Sequence, residues 1–440
     1  MRILKPTLLT LAAAAVLAQV SDASTQIPAK AQEKPIALVG GTIHPVSGPD
    51  VANGTIVFEN GKITAIGTQI AVPENAERID VSGRHVYPGL IDASSYIGLE
   101  EIGEVRATRD RSETGDINPN VKAEVAVNPE SEIIPVTRSN GVTVALTAPS
   151  GGVLSGTSAL LYLDGWTWEE MTLKAPVAMH LAWPRMSTVS SWWMRRTEEE
   201  QIKERDKNLK EIADAFRDAR AYMTARQSTG TSAHDYDSRW EAMLPVFERT
   251  LPVIVSANDI RQIEAAVAFA TRENIRLIVA GGYDAPYCAD LLKKNNVPVI
   301  VTETHRNPVR RGDAYDAPFT VPERLRQAGI QFCIAGGGGA SNERNLPYEA
   351  ATAAAYGLPK DEALKSITLY PAQILGAVDR IGSLEAGKDA TIIVTNGDIL
   401  EIPTHVELEF MQGRRIDLSD KQKLLWLKYQ EKYRRMGIEN

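Results

Sequence analysis

The chain has 440 residues, 43% of them hydrophobic and 24% charged, with a formal net charge of −8. That is material for two or three domains, or for one large barrel with additions, in an ordinary globular composition. The acidic balance argues against nucleic acid or an anionic membrane surface as a partner for the chain as a whole.

In chain order, the N-terminus reads as an export signal. Arg2 and Lys5 precede an apolar run from Thr7 to Ala18, and Ser21-Asp22-Ala23 forms a small-x-small cleavage site. About 20 apolar residues are needed to span a bilayer, so this run is too short to be a membrane anchor. No cysteine stands nearby to carry a lipid. The expectation is a mature chain that is secreted or periplasmic, with no membrane span.

A linker rich in Pro, Ala, Gln and Lys (24–34) leads into alternating strands. I-A-L-V-G-G-T-I-H comes first, then G-T-I-V-F-E-N-G-K-I-T-A-I-G, in which Asn60-Gly61 marks a hairpin turn of the positive-φ kind. Near the other end, A-T-I-I-V-T-N-G-D-I and H-V-E-L-E-F-M-Q-G-R-R-I have the same character. These blocks predict one small β-sandwich assembled from 35–84 and 383–416.

The segment 85–382 alternates strands with helical stretches. Strands are expected at 86–93, 142–147, 159–163, 177–182, 253–257, 276–280, 297–301 and 331–335. Several are nearly continuous apolar runs, as parallel strands covered by helices require. Asp259 to Glu273, Ala285 to Lys294 and a charged stretch from Thr197 to Arg226 read as helices. Eight such units predict an α/β architecture with a TIM-like (β/α)8 barrel. A last helix, within 417–440, is expected to dock on the barrel through Leu424, Leu425, Leu427 and Tyr429. Cys288 and Cys333 are the only cysteines, and their separation leaves pairing open.

The flanking motifs carry a resemblance. G-K-I-T-A-I-G and H-V-Y-P-G-L-I-D-A lie before the barrel, and L-Y-P-A-Q-I-L-G with G-S-L-E-A-G-K-D-A-T-I-I-V lies after it. Together with N-G-V-T, P-S-G-G, D-G-W-T-W-E-E-M and Y-D-A-P-F between them, they resemble the imidazolonepropionase-like branch of the amidohydrolase superfamily. The resemblance implies metal-dependent hydrolysis of non-peptide C–N bonds. Zinc or another divalent ion would be held by His-x-His after P-G-L-I-D, by a lysine or glutamate on the fourth strand, by histidines on the fifth and sixth, and by an aspartate on the eighth. Such an ion lowers the pKa of a bound water and polarises the scissile carbonyl.

This chain departs from the pattern at each of those places. Ser94 and Tyr96 stand at the His-x-His positions, and the fourth strand offers only His180. Ser256 stands on the fifth strand, Ala280 and Gly281 on the sixth, and glycine on the eighth. No metal ligand set is therefore expected, and no cofactor.

Other groups supply candidates. His305 follows the seventh strand in V-T-E-T-H-R-N-P-V-R-R-G-D and would share one side of an extended segment with Glu303. His305, Glu303 and His180 are the candidate catalytic residues, with Asp313 nearby, against the plainer reading of a loop pair and a core histidine. Tyr96, Ser94, Ser256, Arg306, Arg310 and Arg311 are candidate ligand-binding residues, the arginines for an anion. A solvated mixed-charge rim would look the same. Gly336 to Gly339 could offer backbone N–H groups to an anion, or serve only as a flexible turn. Five tryptophans between Trp166 and Trp193 fit either a core around an insertion or an interface.

Three functions are compatible with these residues. One is an exported pseudo-hydrolase that acts as a binding or assembly subunit, as a homo-oligomer or with a catalytically intact homologue. Another is an active hydrolase of cyclic amides, N-acyl amino acids or small peptides with an atypical site. The third is a metal-free binder of a small anionic molecule.

Overall fold

The computed structural model describes residues 26–191, 194–229, 235–337 and 339–438. The expected signal segment, Trp192, Trp193, His234 and Gly338 lie outside the described residues.

The first five strands are β1 (Ile36–Ile43), β2 (Val51–Glu59), β3 (Lys62–Gly67), β4 (Glu77–Asp80) and β5 (His85–Pro88). β2 and β3 form the expected hairpin, with Asn60 and Gly61 at φ of 53° and 76°, the left-handed region this turn demands.

The barrel strands follow. β6 (Leu90–Ser95) lies parallel to β7 (Val142–Thr147). Next come β8 (Leu154–Thr157) and β9 (Ala159–Tyr162), separated only by Ser158, and β10 (Thr172–Lys174), which pairs back on β9. β11 (Met179–Ala182), β12 (Val253–Ala257), β13 (Leu277–Gly281), β14 (Val299–Thr302) and β15 (Phe332–Ala335) run parallel to one another. All eight expected barrel strands are present, but the first begins only at Leu90, because Val86 to Pro88 belong to β5 and pair within the composite sheet. They form two hydrogen-bonded sheets, β10-β9-β7-β6 and β15-β14-β13-β12-β11-β8, joined through the bend at Ser158. At the other seam, between β15 and β6, the Gly336 N–H donates to Asp92 Oδ1 at 3.1 Å.

One strand direction differs from expectation. The third stave is antiparallel to both of its neighbours, β9 to β7 and β8 to β11. The cause is the length of the preceding connection. Only residues 148–153 separate β7 from β8, too few for the crossover that a parallel return requires. Gly151 and Gly152, at φ of 91° and 63°, turn the chain back.

The last strands, β16 (Ile392–Thr395), β17 (Val406–Met411) and β18 (Arg414–Arg415), join β5 to complete one curled eight-stranded sheet. It encloses its own core, with Phe58 and Phe410 in edge contact at 5.0 Å. His44 and His85 belong to this domain, their Nε2 and Nδ1 2.9 Å apart. A buried ion pair ties it to the barrel. Arg138 Nη1 lies 2.7 Å from Asp164 Oδ1, and Arg414, from the composite domain, meets the other Asp164 oxygen at 3.1 Å.

The helices also largely follow the sequence. Ile260–Glu273 begins at a full capping box built on Asp259 and Gln262, and Glu198–Thr229 forms the long charged helix. Cys288 and Cys333 are both buried and unpaired. The C-terminal helix, Lys421–Arg435, corrects an expectation: it does not dock. None of its residues is buried, and Leu424, Leu425, Leu427 and Tyr429 all face solvent. Its apolar residues lie on two sides of the helix, and neither side is buried against its own barrel.

Candidate functional site

Barrel chemistry belongs at the C-terminal ends of the strands, and there the inward-facing positions can be read layer by layer. Ala182, Ser256 and Ala280 sit level on the adjacent strands β11, β12 and β13. Ser256 is exposed although the rest of its strand is buried, so this layer opens to solvent. It presents one hydroxyl and two methyl groups. His180 points the same way one layer deeper. Its Nε2 is buried with no hydrogen-bond partner among the described residues, and burial alone pushes its pKa down to about 4. The imidazole is therefore neutral, and no charged group contributes to the shift.

On the opposite wall, Ser94 is half-buried at the end of β6 and Tyr96 follows it. The Arg111 guanidinium lies 4.5 Å above the Tyr96 ring, and its Nε is 3.1 Å from Glu100. Tyr96 is thus packed under an ion pair of the first loop.

These donors do not fit the divalent site that the resemblance implies. Hydroxyls, methyls and a lone buried imidazole supply neither the charge nor the number of nitrogen, sulfur or carboxylate ligands such an ion needs. Among the described residues, no three His, Cys, Asp or Glu side chains gather as a metal site.

His305 lies on the loop after β14. Its backbone N–H donates to Glu349 Oε2 at 2.7 Å, its Nδ1 is 3.4 Å from Glu349 Oε1, and its Nε2 is 2.5 Å from Thr352 Oγ1. The orienting carboxylate is therefore Glu349, on the helix Leu346–Ala355, and not Glu303. The extended segment expected at 303–305 is broken, because Glu303 adopts φ of 57°. Its side chain lies over Gly337, where an added Cβ would overlap its Cγ. No hydrogen bond or ion pair among the described residues connects His180 with His305 or Glu303.

The arginines separate. Arg310 grips the buried Asp284 with both terminal nitrogens and lies 3.7 Å from Asp313, which also accepts from Tyr283 at 2.7 Å. Arg306 stands over the Tyr283 ring at 5.5 Å, and Arg311 is exposed. Arg310 thus serves a carboxylate of its own chain.

The seam holds groups that the sequence did not single out. Asp92 and Glu343 are fully buried on either side of Gly336, and burial raises the pKa of both. Glu343 is raised further by the neighbouring Asp92 charge. Such a pair can hold one proton between them. Burial lifts Glu349 as well. The only sequence signal for Glu349 is Leu-Pro-Tyr-Glu, with Pro347 opening a helix and Glu349 in its first turn. Nothing local marks Glu343. The Gly336 N–H, considered above for an anion, is spent on Asp92.

Comparison with known proteins agrees with this architecture. The amidohydrolase family profile matches residues 169–414. The chain is 24% identical over 386 residues to amidohydrolase tasK of Hapsidospora irregularis, covering 79% of the chain but 38% of tasK. The chain thus spans well under half the length of that relative. It is also 24% identical over 373 residues to imidazolonepropionase of Fusobacterium nucleatum, covering 78% of the chain and 84% of the relative. The crystal structure of an amidohydrolase from Thermotoga maritima superposes with a TM-score of 0.76 at 25% identity, over 87% of this chain and 99% of that one.

Proposed function

The chain belongs to the amidohydrolase family, and from that premise we propose that it is an exported pseudo-hydrolase, a binding or assembly subunit that works without the family metal. One observation carries the reading. The inward layer at the top of β11, β12 and β13 consists of Ala182, Ser256 and Ala280, and Ser94 and Tyr96 stand at the end of β6 and just beyond it. A site without ligating side chains has no means of activating water by the family route.

A second reading draws on the His305–Glu349 pair. A carboxylate-oriented histidine at the barrel mouth, with Thr352 on its other nitrogen, has the parts of a general base. It would serve hydrolysis of a C–N bond in a cyclic amide, an N-acyl amino acid or a small peptide.

Metal analysis of the mature protein, purified without chelator or histidine tag, together with an assay for C–N bond hydrolysis, separates the two. Less than about a tenth of a zinc, manganese or iron per chain, unchanged after zinc dialysis, is expected for the pseudo-hydrolase. About one ion per chain, lost in His180→Ala or His305→Ala, overturns it. Metal-free hydrolysis abolished by His305→Ala would establish the second reading instead.

A further inference from the structure

The helix Lys421–Arg435 leaves the body beside the helix Ile133–Arg138 and is exposed along its whole length. Leu425, Tyr429, Tyr433 and Met436 recur at i, i+4, i+8 and i+11 and share one face. Leu424 and Leu427 point to another side, 55% and 53% exposed, and Trp426 is 60% exposed. An isolated helix of this length is marginal in water, and tertiary packing normally supplies its stability. Among the described residues nothing buries a side chain of this helix, so the helix is shaped for a surface outside its own subunit.

Charge identifies the surface. The helix holds six basic residues and one acidic residue in a chain of net charge −8. The loop that follows β6, residues 97–132, has nine acidic residues against four basic ones. That loop also exposes large apolar side chains. Ile102 and Val105 sit in one turn, where the Val105 N–H donates to the Ile102 carbonyl at 2.9 Å, and Val125 lies further along. A basic, apolar helix and an acidic loop with apolar contacts are complementary. They also lie close in the chain's architecture, since the helix Ile133–Arg138 directly follows that loop. At 1.5 Å per residue the arm reaches about 22 Å. A membrane fits less well, because a helix lying in the interface separates one apolar face from one polar face, and this helix exposes leucines on two sides.

We propose that the C-terminal helix is an exchanged arm that docks on the acidic first loop, residues 97–132, of a second copy of this chain. Two-fold symmetry makes the exchange reciprocal, the usual closed form for a pair of identical chains. Because the first loop stands at the C-terminal face of the barrel, each arm also borders its partner's mouth. The arrangement is independent of whether the barrel hydrolyses anything.

Sedimentation equilibrium of the mature protein tests the proposal, and a two-copy species is expected. Leu425→Glu with Tyr429→Glu, both at exposed positions, raises its dissociation constant by about tenfold or more. Charge reversal is the sharper measurement. Lys428→Glu/Lys432→Glu in the arm, or Glu104→Lys/Glu113→Lys in the loop, each weakens self-association. An equimolar mixture of the two variants restores a two-copy species, because in a mixed pair one interface has both charges reversed and the other has neither. Should the leucine–tyrosine variant fail to fold, the charge-reversal pair decides alone. A monomeric wild type, a dimer indifferent to the arm variants, or a mixture without restoration overturns the proposal. So does an arm that binds phosphatidylglycerol vesicles while the protein stays monomeric.

Discussion

Asp92 and Glu343 place their carboxyl groups against the same backbone atom. A Cβ added to Gly336 would lie 2.7 Å from an oxygen of each. One carboxyl lies within the first barrel strand and the other comes from the turn Ala340–Asn345 beyond the eighth, so their meeting closes the barrel seam. Both are fully buried and hold protons more tightly than they would in water.

The sign of the resulting pH dependence follows from linkage. A carboxyl whose folded pKa is raised contributes stability in acid, and that contribution is lost as pH rises from the ordinary glutamate value of 4.5 through the raised value. Glu409, buried in the composite domain and also raised, acts in the same direction. Glu343→Gln removes one such group while keeping its shape. Urea midpoints at pH 4.5 and pH 8 should show the variant gaining on the wild type at the higher pH, and a parallel pair of curves would refute the assignment.

Gly336→Ala and Gly337→Ala test how tightly the seam is packed. The first pushes on two buried carboxyls, and the second on the Glu303 side chain. Each should cost about 1–3 kcal/mol, read as a lower denaturation midpoint, whereas Gly312→Ala, with nothing near its Cβ, should change it little.

His180 shifts in the opposite sense to the carboxyls. Its folded pKa, pushed to about 4 by burial, lies below the ordinary 6.5, so its contribution is present above 6.5 and lost as pH falls through 4. Imidazole resonances should show His180 neutral at pH 5.5. A midpoint near 6.5 would mean that the barrel interior is wet at that depth.

Arg138→Ala should be among the most damaging single changes. The substitution leaves Asp164 short of one of its two arginines, and Asp164 also accepts the Ala29 N–H at 3.1 Å. Breaking a buried pair costs about 3–5 kcal/mol. Chemical denaturation measures the loss, and a variant as stable as wild type would show that Arg414 alone suffices.

Much of this molecule was legible locally. The Asn60-Gly61 hairpin, the capping box at Asp259 and all eight barrel strands follow from short-range rules: positive φ at a two-residue turn, reciprocal hydrogen bonds at a helix start, apolar runs between breakers. The same rules led to His305 but to the wrong orienting carboxylate. Glu303 is two residues away, whereas Glu349 is brought in by packing a helix on the barrel.

The sequence by itself determined which segments are strands, where the composite domain is assembled, and which side chains stand at the inward ends of the barrel strands, because each depends on residues within a turn or two of one another. Only the tertiary structure decided that the third stave runs backwards, that Asp92 meets Glu343, that Arg310 is held by Asp284, and that the last helix is left uncovered. Those outcomes depend on barrel closure and on which surfaces remain for each element. Contacts between residues far apart in the chain are set by that geometry and leave no periodic trace in the sequence.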